Sequence, residues 1–303
     1  MQHKNTEDLS LSVNYLTTSE VADYLRLKER KVYDLVRQGQ IPCSRVTGKL
    51  LFPRQQIDLW VLNHLEGDQA QRQPPPAVVA GSQDPLLEWA IRESRSDLAS
   101  LFHGSGDGVS RLLEGRAMVA GVHLLDPDSG QYNQPNLLGL GGVKDLVVLR
   151  WAIRRQGLLI PVDNPLGITG LADLAHPKIR VAHRQPGAGA ARLLTHLLSK
   201  AGIKPASIDW AAHPSLNEDD LALSVLQGEA DVGLGVEAAA RRQQLGFIPL
   251  YDEQFDLMMH RRSYFEPSMQ ALLAFTRQPR FAQRAEALGG YDIRQMGEVL
   301  YNA

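Results

Sequence analysis

Residues 69–76 read Gln-Ala-Gln-Arg-Gln-Pro-Pro-Pro, and this stretch constrains the chain most. Each proline fixes φ and lacks a backbone N–H, so neither a helix nor a sheet ladder continues through three of them. Such a run favours an extended, fairly stiff spacer and marks the clearest domain boundary in the chain. Charge changes across it. Residues 15–64 carry eight Lys/Arg and five Asp/Glu, whereas residues 65–303 carry 23 basic and 27 acidic groups. A small basic module therefore precedes a large, mildly acidic one. A length of 303 residues fits two domains. With 44% apolar and 22% charged residues the larger part can bury a core without covalent staples. The formal net charge of -2 excludes a uniformly basic nucleic-acid coat but leaves room for a local basic patch.

The opening MQHKNTEDLSLSVNYL lacks the apolar run of a secretory signal, and no stretch of 18 apolar residues exists to span a membrane. Cys43 is the sole cysteine, so no intrachain disulfide forms. That usage fits a reducing compartment. The expectation is a cytoplasmic protein without a membrane partner.

In the small module, Thr17-Thr18-Ser19-Glu20 fits a capping box. Val21, Ala22 and Leu25 follow on one helical face. After a turn at Arg26-Leu27, Val32, Leu35 and Val36 form a second stripe that ends at Gly39. Two short helices joined by a tight turn outline a helix-turn-helix. Ser44–Phe52 then reads as a hairpin turning at Thr47-Gly48-Lys49, with Val46, Leu50 and Phe52 facing inward. Residues 54–64 place Ile57, Trp60 and Val61 on one helical face. Tyr33 and Trp60 are expected in the core, and Cys43 as a small filler.

This order of helix, helix, Gly-x-Ile-Pro, basic hairpin and F-x-R-x-x-I-x-x-W resembles the excisionase-type, MerR-related winged helix-turn-helix DNA-binding domain over about residues 15–64. The resemblance implies a recognition helix in the major groove and a wing on the backbone. Lys28, Arg30 and Lys31 would open that helix. Arg45, Thr47 and Lys49 would sit on the wing, and Arg54 after it. Lysine and arginine neutralise phosphate, and arginine also reads guanine edges. Lys28 stands where the family often has a capping Ser or Thr.

The large module alternates strand-like and helix-like stretches, which argues for parallel α/β structure. Ala77–Ala80 and Ile179–Ala182 read as buried strands. Each runs through a polar loop, 81–85 or 183–189, into a helix, Leu86–Ile91 or Ala190–Leu198. Leu113-Glu114-Gly115-Arg116-Ala117-Met118-Val119 parallels Leu226-Gln227-Gly228-Glu229-Ala230-Asp231-Val232, each a helix end, a glycine cap and a strand start. Together these features predict two similar α/β lobes. The Gly139–Gly142 run reads as a loop.

Catalytic signatures are missing: no Walker A loop, H-E-x-x-H, G-x-S-x-G or C-x-x-C occurs, and nine histidines are scattered without metal-ligand spacing. What stands out are polar, glycine-containing loops at helix starts. Ser82, Gly104-Ser105-Gly106 and Gln185–Gly189 present hydroxyls and backbone N–H groups. Helix N-termini favour anions without needing a charged residue.

The ordered motifs at 81–87, 103–115, 120–133, 154–168, 183–194 and 227–242 resemble the type II periplasmic solute-binding fold, in the PBP-like form found fused to helix-turn-helix modules. The fold class expected is thus α/β: a small winged helix-turn-helix domain followed by a two-lobed type II periplasmic-binding-protein-like domain. The expected boundaries are an N-terminal tail at 1–14, the DNA-binding domain at 15–66, a Pro-rich linker at 67–76 and the ligand-binding domain at 77–303. Lobe one would comprise 77–160 and 255–303, and lobe two 161–254, hinged by crossover strands. Related transport proteins bind molybdate or tungstate, so the resemblance implies an oxyanion effector and no catalytic cofactor. Ser82, Gly104, Ser105, Gly187, Ala188 and Gly189 would supply donors. His123 and Arg184 would add a side-chain donor each, with Tyr132 and Gln185 further candidates. Ala188 replaces a serine common in the family and removes one hydroxyl. Arg184 has an alternative as an interlobe salt bridge, and His123 as a satisfied buried histidine. Asp126 and Glu237 would oppose an anion if they pointed into the cleft.

These features lead to a ligand-responsive transcriptional regulator that binds double-stranded DNA as a homodimer or higher homo-oligomer, because one small winged module offers few contacts. Two other readings stand beside it: an enzyme acting on a small anionic substrate, and an oxyanion storage or chaperone protein.

Overall fold

The computed structural model describes residues 15–46, 48–63 and 74–303. Thr47, the 1–14 tail and most of the Pro-rich linker lie outside the described residues, as does the side chain of Val46. The chain divides into an N-terminal and a C-terminal compact unit.

The N-terminal unit runs β1 (Tyr15–Leu16), α1 (Thr18–Tyr24), α2 (Glu29–Arg37), β2 (Ser44–Val46), β3 (Lys49–Pro53) and α3 (Arg54–Asn63). Its three-stranded sheet has the order β1-β3-β2, all antiparallel. The capping box forms: the Thr17 hydroxyl accepts from Glu20 N at 3.3 Å and the Glu20 carboxylate accepts from Thr17 N at 2.7 Å. The interhelical turn passes through Arg26 at φ 52, and α2 ends at Gly39 with φ 66, a conformation glycine adopts without strain. Val21, Ala22, Val32, Leu35, Ile41, Phe52 and Ile57 make the core, with Leu25, Val36, Cys43, Leu50 and Trp60 packed against it. Two expectations are corrected. Tyr33 is 51% exposed on the outer face of α2, because Val32 and Leu35 already fill the inner face. Val61 is also exposed, one position past the Ile57–Trp60 stripe.

In the C-terminal unit, β4 (Val78–Gly81), α4 (Pro85–Ser94), β5 (Ala99–Leu101), α5 (Ser105–Leu113) and β6 (Val119–Val122) form one βαβαβ half. The long β7 (Leu146–Ile160) crosses over. A second half follows as β8 (Arg180–Ala182), α6 (Gly189–Lys200), β9 (Asp209–Trp210), α7 (Glu218–Leu226), β10 (Val232–Val236) and α8 (Glu237–Arg242). The long β11 (Gly246–His260) returns to the first half. The chain closes with α9 (Arg261–Tyr264), α10 (Pro267–Thr276), α11 (Pro279–Leu288), β12 (Tyr291–Asp292) and β13 (Val299–Asn302).

One ten-stranded sheet joins both halves in the order β5-β4-β6-β11-β7-β10-β8-β9, with β12 and β13 also on β7. The order is palindromic about the β11/β7 pair. In each half the parallel strands lie outside and an antiparallel crossover lies inside. The helix–Gly–strand repeat takes equivalent places: Gly115 (φ 70) leads into β6 and Gly228 (φ 73) into β10. One apolar core includes Leu86, Leu87, Trp151, Phe255 and Phe281. A second surrounds Leu193, Leu198, Val232 and Leu234. β7 and β11 pair over nearly their whole length, so they tie the halves together as hinge strands. No helix among the described residues is long and apolar enough to cross a membrane.

Candidate ligand cleft and nucleic-acid face

Ligands of open α/β sheets bind beyond the carboxyl ends of parallel strands. Here those ends carry Ser82 after β4, Gly104 and Ser105 after β5, His123 after β6 and the 183–189 loop after β8. Close packing of α5 sets the geometry. A Cβ on Gly108 would lie 2.4 Å from Gly81 Cα, and one on Gly81 2.3 Å from Gly121 O. Only glycine permits this approach, which draws the start of α5 onto the β4 loop. Ser82 Oγ and Ser105 Oγ are then 2.8 Å apart, both buried, and Ser105 Oγ accepts the His123 N–H at 3.1 Å.

The second half meets this cluster directly. A Cβ on Gly104 would lie 3.8 Å from Gln185 Nε2 and 3.9 Å from Ala188 Cα, and one on Gly106 3.7 Å from Gly187 O. Gly189, the first residue of α6, is tighter: its Cβ would lie 2.4 Å from His123 O and 2.6 Å from the imidazole Cε1. The starts of α5 and α6 therefore face each other across a closed cleft. Each offers backbone N–H groups without intrahelical acceptors and a partial positive charge.

Of the residues expected at the site, Ser82, Gly104, Ser105, His123, Gln185, Gly187, Ala188 and Gly189 are brought together. Arg184 is not. Its Nη1 donates to Glu218 Oε1 at 2.8 Å, Nη2 to Leu216 O at 3.0 Å and Nε to Ser215 O at 3.2 Å. The buried guanidinium thus has its partners within its own half, so its salt bridge does not run between the lobes. Gln185 likewise donates to Leu216 O at 2.9 Å, although it reaches Gly104. Tyr132 packs in the second core, and its buried hydroxyl has no partner among the described residues. Burial, and then the nearby Glu253 charge, push that phenol well above its ordinary pKa. Asp126 caps the Ser129 turn. Glu237 pairs with Arg241 at 2.6 Å, so both acids are engaged in other contacts.

Sequence reasoning missed the group beneath the cleft. Arg154 on β7 pairs with Asp84 at 3.1 Å and with Glu253 on β11. The other Glu253 oxygen meets His123 Nδ1 at 2.8 Å, and Gln156 donates to Glu253 at 2.8 Å. Asp84 also accepts from Tyr291 OH at 2.7 Å and Trp151 Nε1 at 3.1 Å, and caps α4 through Leu87 N at 2.7 Å. Burial pushes the Glu253 carboxyl up, but Arg154 and then His123 outweigh it and hold its pKa at about 2. Beside it, Arg150 pairs with Asp256 at 3.1 Å, and burial raises the Asp256 pKa to about 6 against the pull of Arg150 and Asn133. In sheet register Glu253 stands opposite Arg154 and Asp256 opposite Arg150. The signal was present: charges interrupt two long apolar runs, and a buried charge needs an opposite partner.

In the N-terminal unit, Lys28, Arg30, Lys31, Arg45, Lys49 and Arg54 are all exposed. Lys28 gives α2 no side-chain cap. Arg54 lies over the Tyr24 ring at 5.0 Å, a cation–π contact that orients it. A groove of about 520 Å³ runs between α2 and the wing, with Tyr33 and Arg37 on one wall and Arg45 and Lys49 on the other.

Known proteins share both parts. A helix-turn-helix domain family matches residues 15–64, and the PBP superfamily domain matches residues 88–277. The Bacillus subtilis (strain 168) protein YvgK is 27% identical over 94% of this chain and 97% of its own length. A Clostridium pasteurianum protein from the 5′ region of a ferredoxin 2Fe-2S gene is 28% identical over 36% of this chain and 96% of its own. Among solved structures, a putative phosphate ABC transporter substrate-binding protein with bound phosphate from Clostridium perfringens superposes with a TM-score of 0.52 at 13% identity, over 71% of this chain and 97% of that one. The sulfate-binding protein SubI from Mycobacterium tuberculosis H37Rv gives 0.50 at 14%, over 71% and 85%. Corynebacterium glutamicum OxyR, as a cysteine-to-serine mutant with H2O2 bound, gives 0.50 at 14%, over 90% and 89%. The PBP match covers more than half of the sequence, so this chain belongs to the PBP superfamily and carries its ligand-binding fold behind a helix-turn-helix domain.

Proposed function

We propose that the chain is a ligand-responsive DNA-binding regulator whose cleft takes a small tetrahedral oxyanion, with molybdate or tungstate the first candidates. One observation carries the reading: two buried serine hydroxyls 2.8 Å apart, set between two helix N-termini that face each other. Such a site offers neutral donors and partial positive charge to a compact, dehydrated anion. The acids beneath it do not repel that anion freely, since Asp84 and Glu253 share Arg154, and Glu218 holds Arg184. Fully deprotonated molybdate, tungstate and sulfate need donors only, whereas phosphate at neutral pH also carries a proton in want of an acceptor. The motif resemblance favours molybdate and tungstate among these.

On this reading residues 15–66 bind DNA, 67–76 link and 77–303 sense, with lobe one at 77–160 and 255–303 and lobe two at 161–254. Lys28, Arg30, Lys31, Arg45, Thr47, Lys49 and Arg54 meet the duplex, and two copies engage two half-sites. Ligand acts by binding one lobe arrangement better than the other. Calorimetry of the full chain against molybdate, tungstate, sulfate and phosphate tests the ligand class. At least one fully deprotonated oxyanion should bind, and Ser105→Ala should weaken it by about 10- to 100-fold, as expected for a hydrogen bond to a charged group. No heat and no thermal shift with any of the four would remove the oxyanion reading.

A further inference from the structure

We propose that Gln83 and Asp219 form a latch that holds the two halves of the cleft together, and that they are positioning residues which set ligand affinity without touching the ligand. This rests on the ligand-cleft reading above. Gln83, one residue past Ser82, reaches from the first half to the second: its Nε2 donates to Asp219 Oδ2 at 3.1 Å. The same nitrogen donates to Glu88 Oε2 on α4, in the first half, at 3.3 Å. Ionised carboxylates only accept, and an amide nitrogen has two N–H groups to give. One side chain therefore bridges two acids that belong to opposite halves.

Each partner keeps a contact in its own half when the cleft opens. Asp219 on α7 holds Arg242 of α8, whose Nη1 donates to Oδ1 at 3.0 Å and to Oδ2 at 2.7 Å. Gln83 keeps Glu88. Opening thus breaks one hydrogen bond and leaves neither acid without a donor. The bridge also offsets a repulsion. Without the amide between them, Glu88 and Asp219 face each other as like charges from opposite halves and favour separation. Closure has a counterweight: Gln83 Oε1 is buried with no hydrogen-bond partner among the described residues, and an unmet acceptor weakens the closed form. The latch adjoins the anion site on both sides. Gln83 follows Ser82, whose Oγ meets Ser105 Oγ at 2.8 Å, and Asp219 follows Glu218, which holds Arg184 next to the 185–189 loop. Closing it fixes the spacing of the two loop sets that supply the donors.

Pulsed electron–electron resonance on the full chain measures the latch with no ligand present. Spin labels at Arg92→Cys on α4 and Ser199→Cys on α6, both exposed positions, in a Cys43→Ser background, report the separation of the halves. Gln83→Leu should lower the closing constant by about tenfold, as expected for a partly exposed hydrogen bond to a charged group. The loss is read as a longer distance, as weaker molybdate binding in calorimetry, or as both, because affinity scales with the closed fraction. Asp219→Ala should act in the same direction, and the double variant should match Asp219→Ala alone, since both changes remove one bond. Gln83→Glu sets a third acid between Glu88 and Asp219. It should open the cleft furthest, with closure recovering at about 1 M salt, where charges are screened. Unchanged distance and unchanged affinity in Gln83→Leu and Asp219→Ala, or effects that add in full in the double variant, would overturn the latch. Absence of any oxyanion binding would remove the oxyanion reading alone, because the distances test the latch without ligand.

Discussion

At the scale of single residues, Gly189 is the sharpest control point. It has room for no Cβ, because His123 of the opposite half fills that space. Gly189→Ala should hold the cleft ajar, weaken the ligand at least tenfold and leave the melting temperature of the ligand-free protein nearly unchanged. Paired calorimetry and thermal unfolding check this. Arg154 is the structural counterpart. Arg154→Met strands Asp84 and Glu253 as buried acids and should cost roughly 3–5 kcal/mol in denaturant unfolding. Glu253 also sets an acid limit. Its folded pKa is depressed, so its contribution is full above about pH 4.5 and is lost as pH falls toward 2. A loss on the order of 3 kcal/mol over that window is expected, measured by denaturant unfolding as a function of pH. Asp256 works in the opposite sense. Its raised pKa makes the protonated form the stabilising one, and that contribution fades as pH rises through about 6.

The sequence disclosed these residues unevenly. Ser82, Ser105 and the 185–189 loop were legible because helix starts have local signatures. Glu253 and Arg154 lie 99 residues apart, and only the register of two long strands pairs them. Arg184 looked free for the same reason: its partner Glu218 sits 34 residues on, at the start of another helix. Buried charge pairing is a tertiary fact, and local pattern marks the need for a partner without naming it.

At the scale of elements, alternation of strand and helix disclosed both halves, and the helix–Gly–strand repeat marked their equivalence. The crossover strands were reached only through the family resemblance. β7 reads Leu-Val-Val-Leu-Arg-Trp-Ala-Ile-Arg-Arg-Gln-Gly-Leu-Leu-Ile, a run too long and too charged for an ordinary buried strand. Pairing on both sides explains it: β11 runs along one edge, while β10, β12 and β13 share the other. Gly157 lies at the crowded centre. A Cβ there would be 2.2 Å from Ile248 O and 2.6 Å from the Phe247 ring. Gly157→Ala should force β11 away from β7 and lower the melting temperature by roughly 5 °C, equivalent to about 2 kcal/mol in a domain of this size. In the smaller unit the exposure of Tyr33 shows the limit of composition. An aromatic on a short helix is core only if the inner stripe leaves room, and Val32 and Leu35 do not.

At the scale of the whole molecule, a ligand cleft and a basic helix-turn-helix make a sensor only if the ligand's free energy reaches the DNA. The DNA side has its own test. The double variant Arg30→Ala/Lys31→Ala should weaken duplex binding and reduce the salt slope by about one per lost phosphate contact. It should leave oxyanion binding untouched, since both residues lie in the N-terminal unit.

The most direct test of a ligand-responsive regulator joins both activities. A duplex enriched from a random pool by the full chain would be titrated by fluorescence anisotropy at about 150 mM salt, near physiological ionic strength, with and without saturating oxyanion. A coupling free energy of about 1–3 kcal/mol corresponds to a change in Kd of about 5- to 150-fold. A change in that range is expected for the wild-type chain, and none for Ser105→Ala at an oxyanion concentration that saturates only the wild type. Identical Kd values with and without an oxyanion that calorimetry shows to be bound would contradict the coupling of cleft to DNA.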